Sequence, residues 1–265
     1  MESPEQLKGR VLKMYNHIPL QNDEMGSIGL SLWRSSEYYS ALANTYKKLD
    51  GYFPSADLAL GCGTPTEFAA IKEGDTVVDL GAGAGIDCFI AQTKVGKKGH
   101  IIGVDFADQM INRAKHNLQK LGYENVEFFC QDIENLSLKS GVADVVISNC
   151  TLNLVPDKTQ AFKEIFRLLK NGGHFCFSDI VVIGAIPEEL RRNEMLTNCI
   201  AGASQLDDYV DKIKELGFKD LKIKQSKRIR IPEEILSLFL SDDKVTEFTT
   251  ESSGIFTATL FAVKP

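Results

Sequence analysis

What this chain has little of narrows its chemistry before any motif is read. No run of about 18 apolar residues occurs, and the opening MESPEQLKGR is polar with no apolar leader core, so neither a membrane span nor export is expected and the cytoplasm is the expected compartment. Positive charge is not in excess. With 30 Lys and Arg against 36 Asp and Glu the net charge is −6, which argues against a nucleic-acid partner, since phosphate binding needs a clustered positive surface. The one basic cluster, Lys222 to Arg230, is interleaved with Ile223 and Ile229 and reads as a strand whose solvated lysines protect a sheet edge. The four histidines, His17, His100, His116 and His174, fall in helical patterns or at strand starts, so no base is evident where a reaction would occur. Six cysteines are present but never in C-x-x-C spacing, which excludes a zinc knuckle and a thioredoxin motif; in a reducing compartment they are thiols. No internal repeat or long linker appears. At 265 residues, 43% hydrophobic and 25% charged, the chain suits one globular domain with additions.

What is present is organised around TVVDLGAGAGIDCFI, residues 76–90. Val77, Val78 and Leu80 make a short apolar strand suited to burial on both faces. Gly81, Gly83 and Gly85 then let the backbone turn sharply with no side-chain bulk against a ligand, and Ile86, Phe89 and Ile90 resume helical spacing. A dinucleotide fingerprint needs glycine where this chain has Ile86, so NAD is disfavoured. Asp105 ends the next apolar strand, 20 residues beyond Gly85, where a carboxylate can accept both hydroxyls of a ribose. Together Asp79, the G-x-G-x-G turn and Asp105 resemble the cofactor site of Rossmann-like S-adenosylmethionine methyltransferases.

From Gly74 onward strand and helix patterns alternate with short connections, which means parallel strands with helices on both faces. Asp108 is the expected cap of the second helix, and Gly122 and Gly172 are expected to end their helices. LKIKQSKRIRI and GIFTATLFAVKP add two final strands. The fold expected is α/β, a Rossmann-like seven-stranded, mostly parallel sheet with an antiparallel last strand. Residues 1–70 form an N-terminal helical segment or lid, 71–265 the domain proper, and about 186–205 a substrate cover. Ligands in such sheets lie beyond the carboxyl ends of the strands. There Asp132 can reach an adenine amine while Ile133 packs on the ring, and Asn149 and Cys150 end the fourth strand where a reactive methyl would point.

Three thiols fall at the same rim: Cys88, at the start of a helix whose dipole favours a thiolate, Cys150, and Cys199 in the cover. Cys130 and Cys176 read as core residues, and Cys62 as part of a turn. Over residues 58–220 the stretches ALGCGTP, VVDLGAGAGIDCF, SNCTLNLVPDK, SDIV and NCIAGAS resemble arsenite S-adenosylmethionine methyltransferases. The resemblance implies that Cys88, Cys150 and Cys199 bind the arsenic, with Cys150 and Cys199 the principal pair. It implies cofactor contacts from Gly81, Gly83, Asp105, Phe106, Ile133 and Asn149, arsenite or its thiol adduct as substrate, and a thiol reductant such as thioredoxin or glutathione. The chain departs from many members in having no cysteine between Met1 and Gly61. Two other readings compete: a methyltransferase for a quinone-like or other small organic acceptor, and a metalloid-binding protein without catalysis.

Overall fold

The computed structural model describes residues 3–18, 45–185, 187, 189, 202–231, 233–237, 240–248 and 253–265. Its scaffold is a single sheet. The strands are β1 (Thr76–Leu80), β2 (His100–Asp105), β3 (Val126–Cys130), β4 (Ala143–Asn149), β5 (Leu169–Ile183), the two-residue β6 (Ser204–Gln205), β7 (Lys219–Arg228) and β8 (Gly254–Val263). They run in the order β3-β2-β1-β4-β5-β8-β7, with β6 pairing β5 off that path. β1 to β5 are mutually parallel, whereas β8 is antiparallel to both β5 and β7. This is the expected seven-strand arrangement, plus a two-residue eighth strand.

The alternation of side chains along each strand divides the core into two layers. Val78, Leu80 and Val146 face a layer built by the helices α5 (Lys158–Leu168) and α6 (Leu206–Glu215), centred on the edge-to-face rings of Phe162, Phe177 and Tyr209. Val77, Val145 and Ile147 face the opposite layer, built by α3 (Ile86–Val95) and α4 (Asp108–Leu121), with Phe89 edge-on to Phe128. Helices therefore cover both faces. Before the sheet come α1 (Pro4–His17), capped reciprocally by Ser3 and Gln6, and the one-turn α2 (Pro65–Phe68). Between β7 and β8 lie α7 (Glu233–Leu236) and α8 (Asp242–Phe248), two short helices outside the sequence expectation.

Two expected helix ends are corrected. The N-cap of α4 is Ala107, and Asp108 is instead the first-turn acid, placed to favour the positive end of the helix dipole. Gly122 does end α4 in a left-handed conformation, but α5 stops at Leu168, because Leu169 already pairs with Ala143 in the sheet. Gly172 lies instead within β5, its φ at +78° and its N–H donating to the Lys264 carbonyl. Residues 19–44 of the expected lid and 190–201 of the expected cover lie outside the described residues. So does Cys199.

Candidate functional site

Four parallel strands end on one rim, and a cavity opens beyond them, lined by residues from each strand end. β1 delivers Asp79 and then Gly81, which has φ of +82°, the left-handed region that favours glycine. Asp105, at the tip of β2, braces the turn: one carboxylate oxygen accepts the Gly83 N–H at 2.9 Å, the other the Ala107 N–H at 3.0 Å. Each oxygen keeps a further lone pair for a ligand. Phe106 follows it, β3 is succeeded by Asp132 and Ile133, and β4 ends on Asn149; all of these line the cavity. The eight residues expected to contact the cofactor thus share one cavity.

α1 forms part of the wall through Lys8, Val11 and Tyr15. Lys8 lies 2.6 Å from Asp132 and also pairs with Glu134, so the carboxylate expected to meet an adenine is already engaged by α1. Among the described residues, Asp57, Asp79, Asp87, Asp105 and Asp132 line the cavity against the single ammonium of Lys8. That surplus of acid suits a cationic nucleoside and opposes a polyphosphate.

Sequence reasoning missed a buried part of the site. The Asp87 carboxylate is buried at the cavity wall, where it accepts from the Tyr46 hydroxyl at 3.0 Å and from Asn149 Nδ2 at 2.9 Å. Burial raises its pKa to about 6, against the lowering effect of the Asn149 and Tyr46 hydrogen bonds. The Asn149 amide faces the loop Gly61–Cys62–Gly63, accepting the backbone N–H of Cys62 at 3.0 Å and of Gly63 at 3.3 Å.

The structure pairs Cys150 with Cys62. The sulfurs of Cys62 and Cys150 and a carboxylate oxygen of Asp179 all lie within 4.8 Å of one another, and all three residues are buried. Cys150 also lines the cavity, and its backbone is left-handed, with φ of +58°. A non-glycine residue held in that region signals a conformation imposed by its surroundings, here by an N–H donating to the Ser178 carbonyl at 2.8 Å. Asp179 accepts from the Asn153 backbone, the Asn153 side chain and the Tyr209 hydroxyl at 2.8–2.9 Å. Burial pushes its pKa up to about 7. Tyr209 also has Asn153 Oδ1 at 3.0 Å, so its hydroxyl can turn there when Asp179 is protonated.

Cys88 is placed differently. It is fully buried where α3 packs on the sheet, so close that a Cβ on Gly103 would come within 2.9 Å of its sulfur, and its thiol donates to Asp79 at 3.2 Å. Burial, reinforced by the Asp79 charge, raises the Cys88 pKa well above its usual value, overriding the helix dipole that suggested a thiolate. It is not among the residues lining the cavity. Cys62 and Asp179 were discoverable, because both lie within stretches that carried the family resemblance, ALGCGTP and SDIV.

A family model described as a methyltransferase domain matches residues 71–235. An arsenite methyltransferase of Halobacterium salinarum is 45% identical over 169 residues, covering 63% of this chain and 43% of that protein. One from Mus musculus is 38% identical over 152 residues, covering 54% and 40%. The chain spans about half the length of the curated relatives it matches. Among solved structures, an arsenic(III) S-adenosylmethionine methyltransferase from Chlamydomonas reinhardtii superposes with a TM-score of 0.67 at 31% identity, covering 88% of this chain and 73% of that one.

Proposed function

Because this chain belongs to the arsenic(III) S-adenosylmethionine methyltransferase family, we propose that it transfers a methyl group from S-adenosylmethionine to trivalent arsenic held by Cys62 and Cys150. The observation that carries the reading is that Cys150 belongs to two places at once, the wall of the cofactor cavity and the buried thiol pair. When bound, S-adenosylmethionine supplies an electrophilic methyl group on a cationic sulfonium. The glycine turn, the Asp105 carboxylate and the acidic wall fit such a cation.

The residues' own task is to bind and orient arsenic. Trivalent arsenic is soft, so the Cys62 and Cys150 sulfurs displace hydroxyls from arsenite; two As–O bonds break, two As–S bonds form, and the thiol protons leave with the oxygens as water. The arsenic lone pair is retained and serves as the nucleophile. No proton need be removed from it, which agrees with the want of a histidine base, and orientation supplies most of the acceleration. Cys199, which lies outside the described residues, is retained as a further arsenic thiol. Cys88 serves instead to support Asp79 beneath the glycine turn. In this reading residues 1–70 close over the domain of 71–265, α1 already lining the cavity, and 186–205 cover the substrate. Glutathione or thioredoxin keeps the thiols reduced, and the cytoplasm is the compartment that suits this chemistry.

The test is incubation with labelled S-adenosylmethionine, arsenite and a thiol reductant. Label recovered in methylated arsenic is the expected result. Arsenite binding without labelled product would reduce the protein to a metalloid binder, and indifference to arsenite would point to an organic acceptor.

A further inference from the structure

Asn149 stands where the cofactor cavity meets the thiol pair, and its carboxamide is turned toward the backbone of the Cys62 loop. Oδ1 accepts the N–H groups of Cys62 at 3.0 Å and Gly63 at 3.3 Å. Nδ2 has the Gly63 carbonyl at 2.9 Å, the Asp87 carboxylate at 2.9 Å and the Tyr46 hydroxyl at 2.6 Å. These partners fix which way the amide points, since its oxygen meets two donors and its nitrogen meets a carbonyl and a carboxylate. The loop is pressed against it, for a Cβ on Gly61 would lie 2.8 Å from Nδ2. The next residue in the chain is Cys150. One side chain therefore clasps the loop that carries one thiol and sits one peptide bond from the other.

We infer that Asn149 is the positioning residue of the thiol site: its amide, held in register by Asp87 and Tyr46, keeps the Cys62 sulfur beside that of Cys150. The inference rests on the arsenic reading for the identity of the ligand, whereas the sulfur–sulfur proximity it explains does not. Asn149 also lines the cofactor cavity together with Tyr46, Gly61 and Asp87, so the clasp and the cofactor share a wall. Truncation to alanine leaves two loop N–H groups without their acceptor. Aspartate retains the acceptors but sets a second carboxylate against Asp87. An asparagine at 87 in that background restores a donor facing the carboxylate, while the Gly63 carbonyl keeps the Tyr46 hydroxyl at 2.9 Å as its donor.

The experiment compares the wild-type chain with Asn149→Ala, Asn149→Asp and the double variant Asn149→Asp/Asp87→Asn. The rate at which dibromobimane crosslinks Cys62 to Cys150 is read by peptide mass spectrometry, with arsenite affinity and the thermal midpoint measured alongside. Crosslinking should slow about tenfold in Asn149→Ala and in Asn149→Asp, and return to within about threefold of wild type in the double variant. A general structural role would lower the thermal midpoint of the variants without that rescue. Should Asn149→Ala fail to fold, the comparison of Asn149→Asp with the double variant decides. Wild-type crosslinking in Asn149→Ala, or a double variant no faster than Asn149→Asp, overturns the inference. A wild type that crosslinks, and loses crosslinking as described, yet binds no arsenite supports the positioning role and removes the arsenic reading alone.

Discussion

Gly81→Ala is the substitution whose consequence follows most closely from the coordinates. Two independent costs are written there. The left-handed backbone, with φ of +82°, charges any residue bearing a Cβ about 1–2 kcal/mol. The new Cβ would also lie 2.0 Å from Thr151 Oγ1, 2.5 Å from its Cγ2 and 2.7 Å from its Cβ, an overlap that should add about 1–3 kcal/mol as the neighbour is forced aside. The expected loss is thus about 2–5 kcal/mol, at its upper end a third or more of the about 5–15 kcal/mol margin of an ordinary domain. Thr151→Gly removes all three clashing atoms and separates the two costs. That change alone forfeits the hydroxyl's bond to the Asn149 carbonyl, at 3.2 Å, and some backbone restraint, about 1–2 kcal/mol in all. In a four-protein urea cycle the double variant should be about 1–3 kcal/mol more stable than the sum of the single losses, the recovered part being the clash. S-adenosylmethionine affinity should follow the same pattern. Strict additivity, or a Gly81→Ala protein as stable as wild type, would refute this account of the turn.

Three further outcomes follow from the site. Cys62→Ser and Cys150→Ser should each weaken arsenite binding by more than the about 10–100-fold that loss of a mere supporting residue costs a metal site, while Cys88→Ser leaves it near wild type; equilibrium dialysis with arsenite distinguishes these. Asp87 and Asp179, with pKa values of about 6 and about 7, hold protons in the folded chain at pH values where the unfolded chain has released them. Their effect is therefore to make stability fall as pH rises from about 4 to about 7 and level off above. Urea unfolding across that range should show the decline, with a shallower slope in Asp179→Asn; an unchanged slope assigns the titration elsewhere. Lys8→Met should cost about 1 kcal/mol or less, because the pair with Asp132 is partly exposed, yet should raise the KM for S-adenosylmethionine by loosening α1 from the cavity. An unaltered KM would deny α1 that role.

The frame of the molecule was legible because its signals are local. Val77 to Leu80, the glycine turn and Asp105 are linked by periodicity and spacing, and the cavity is lined by the residues that spacing nominated. The thiol site was less so, for reasons visible in two cysteines. For Cys88 a local rule, the helix dipole, competed with a tertiary fact, burial against β2 beside Asp79, and burial prevailed. Cys62 acquires its partner only when the loop bearing it is drawn over the end of β4 by Asn149, a contact spanning 87 residues that no local pattern announces. Chain boundaries failed similarly. Gly172 looked like a helix terminator, but the pairing of Leu169 with Ala143 had already claimed the chain for the sheet.

X-ray absorption at the arsenic edge, on the chain loaded with arsenite, tests the central claim most directly. Sulfur neighbours around arsenic, lost in part in Cys62→Ser and in Cys150→Ser but retained in Cys88→Ser, are what the account predicts. Arsenic surrounded by oxygen alone in the wild type, or the same sulfur shell in all three variants, would contradict it.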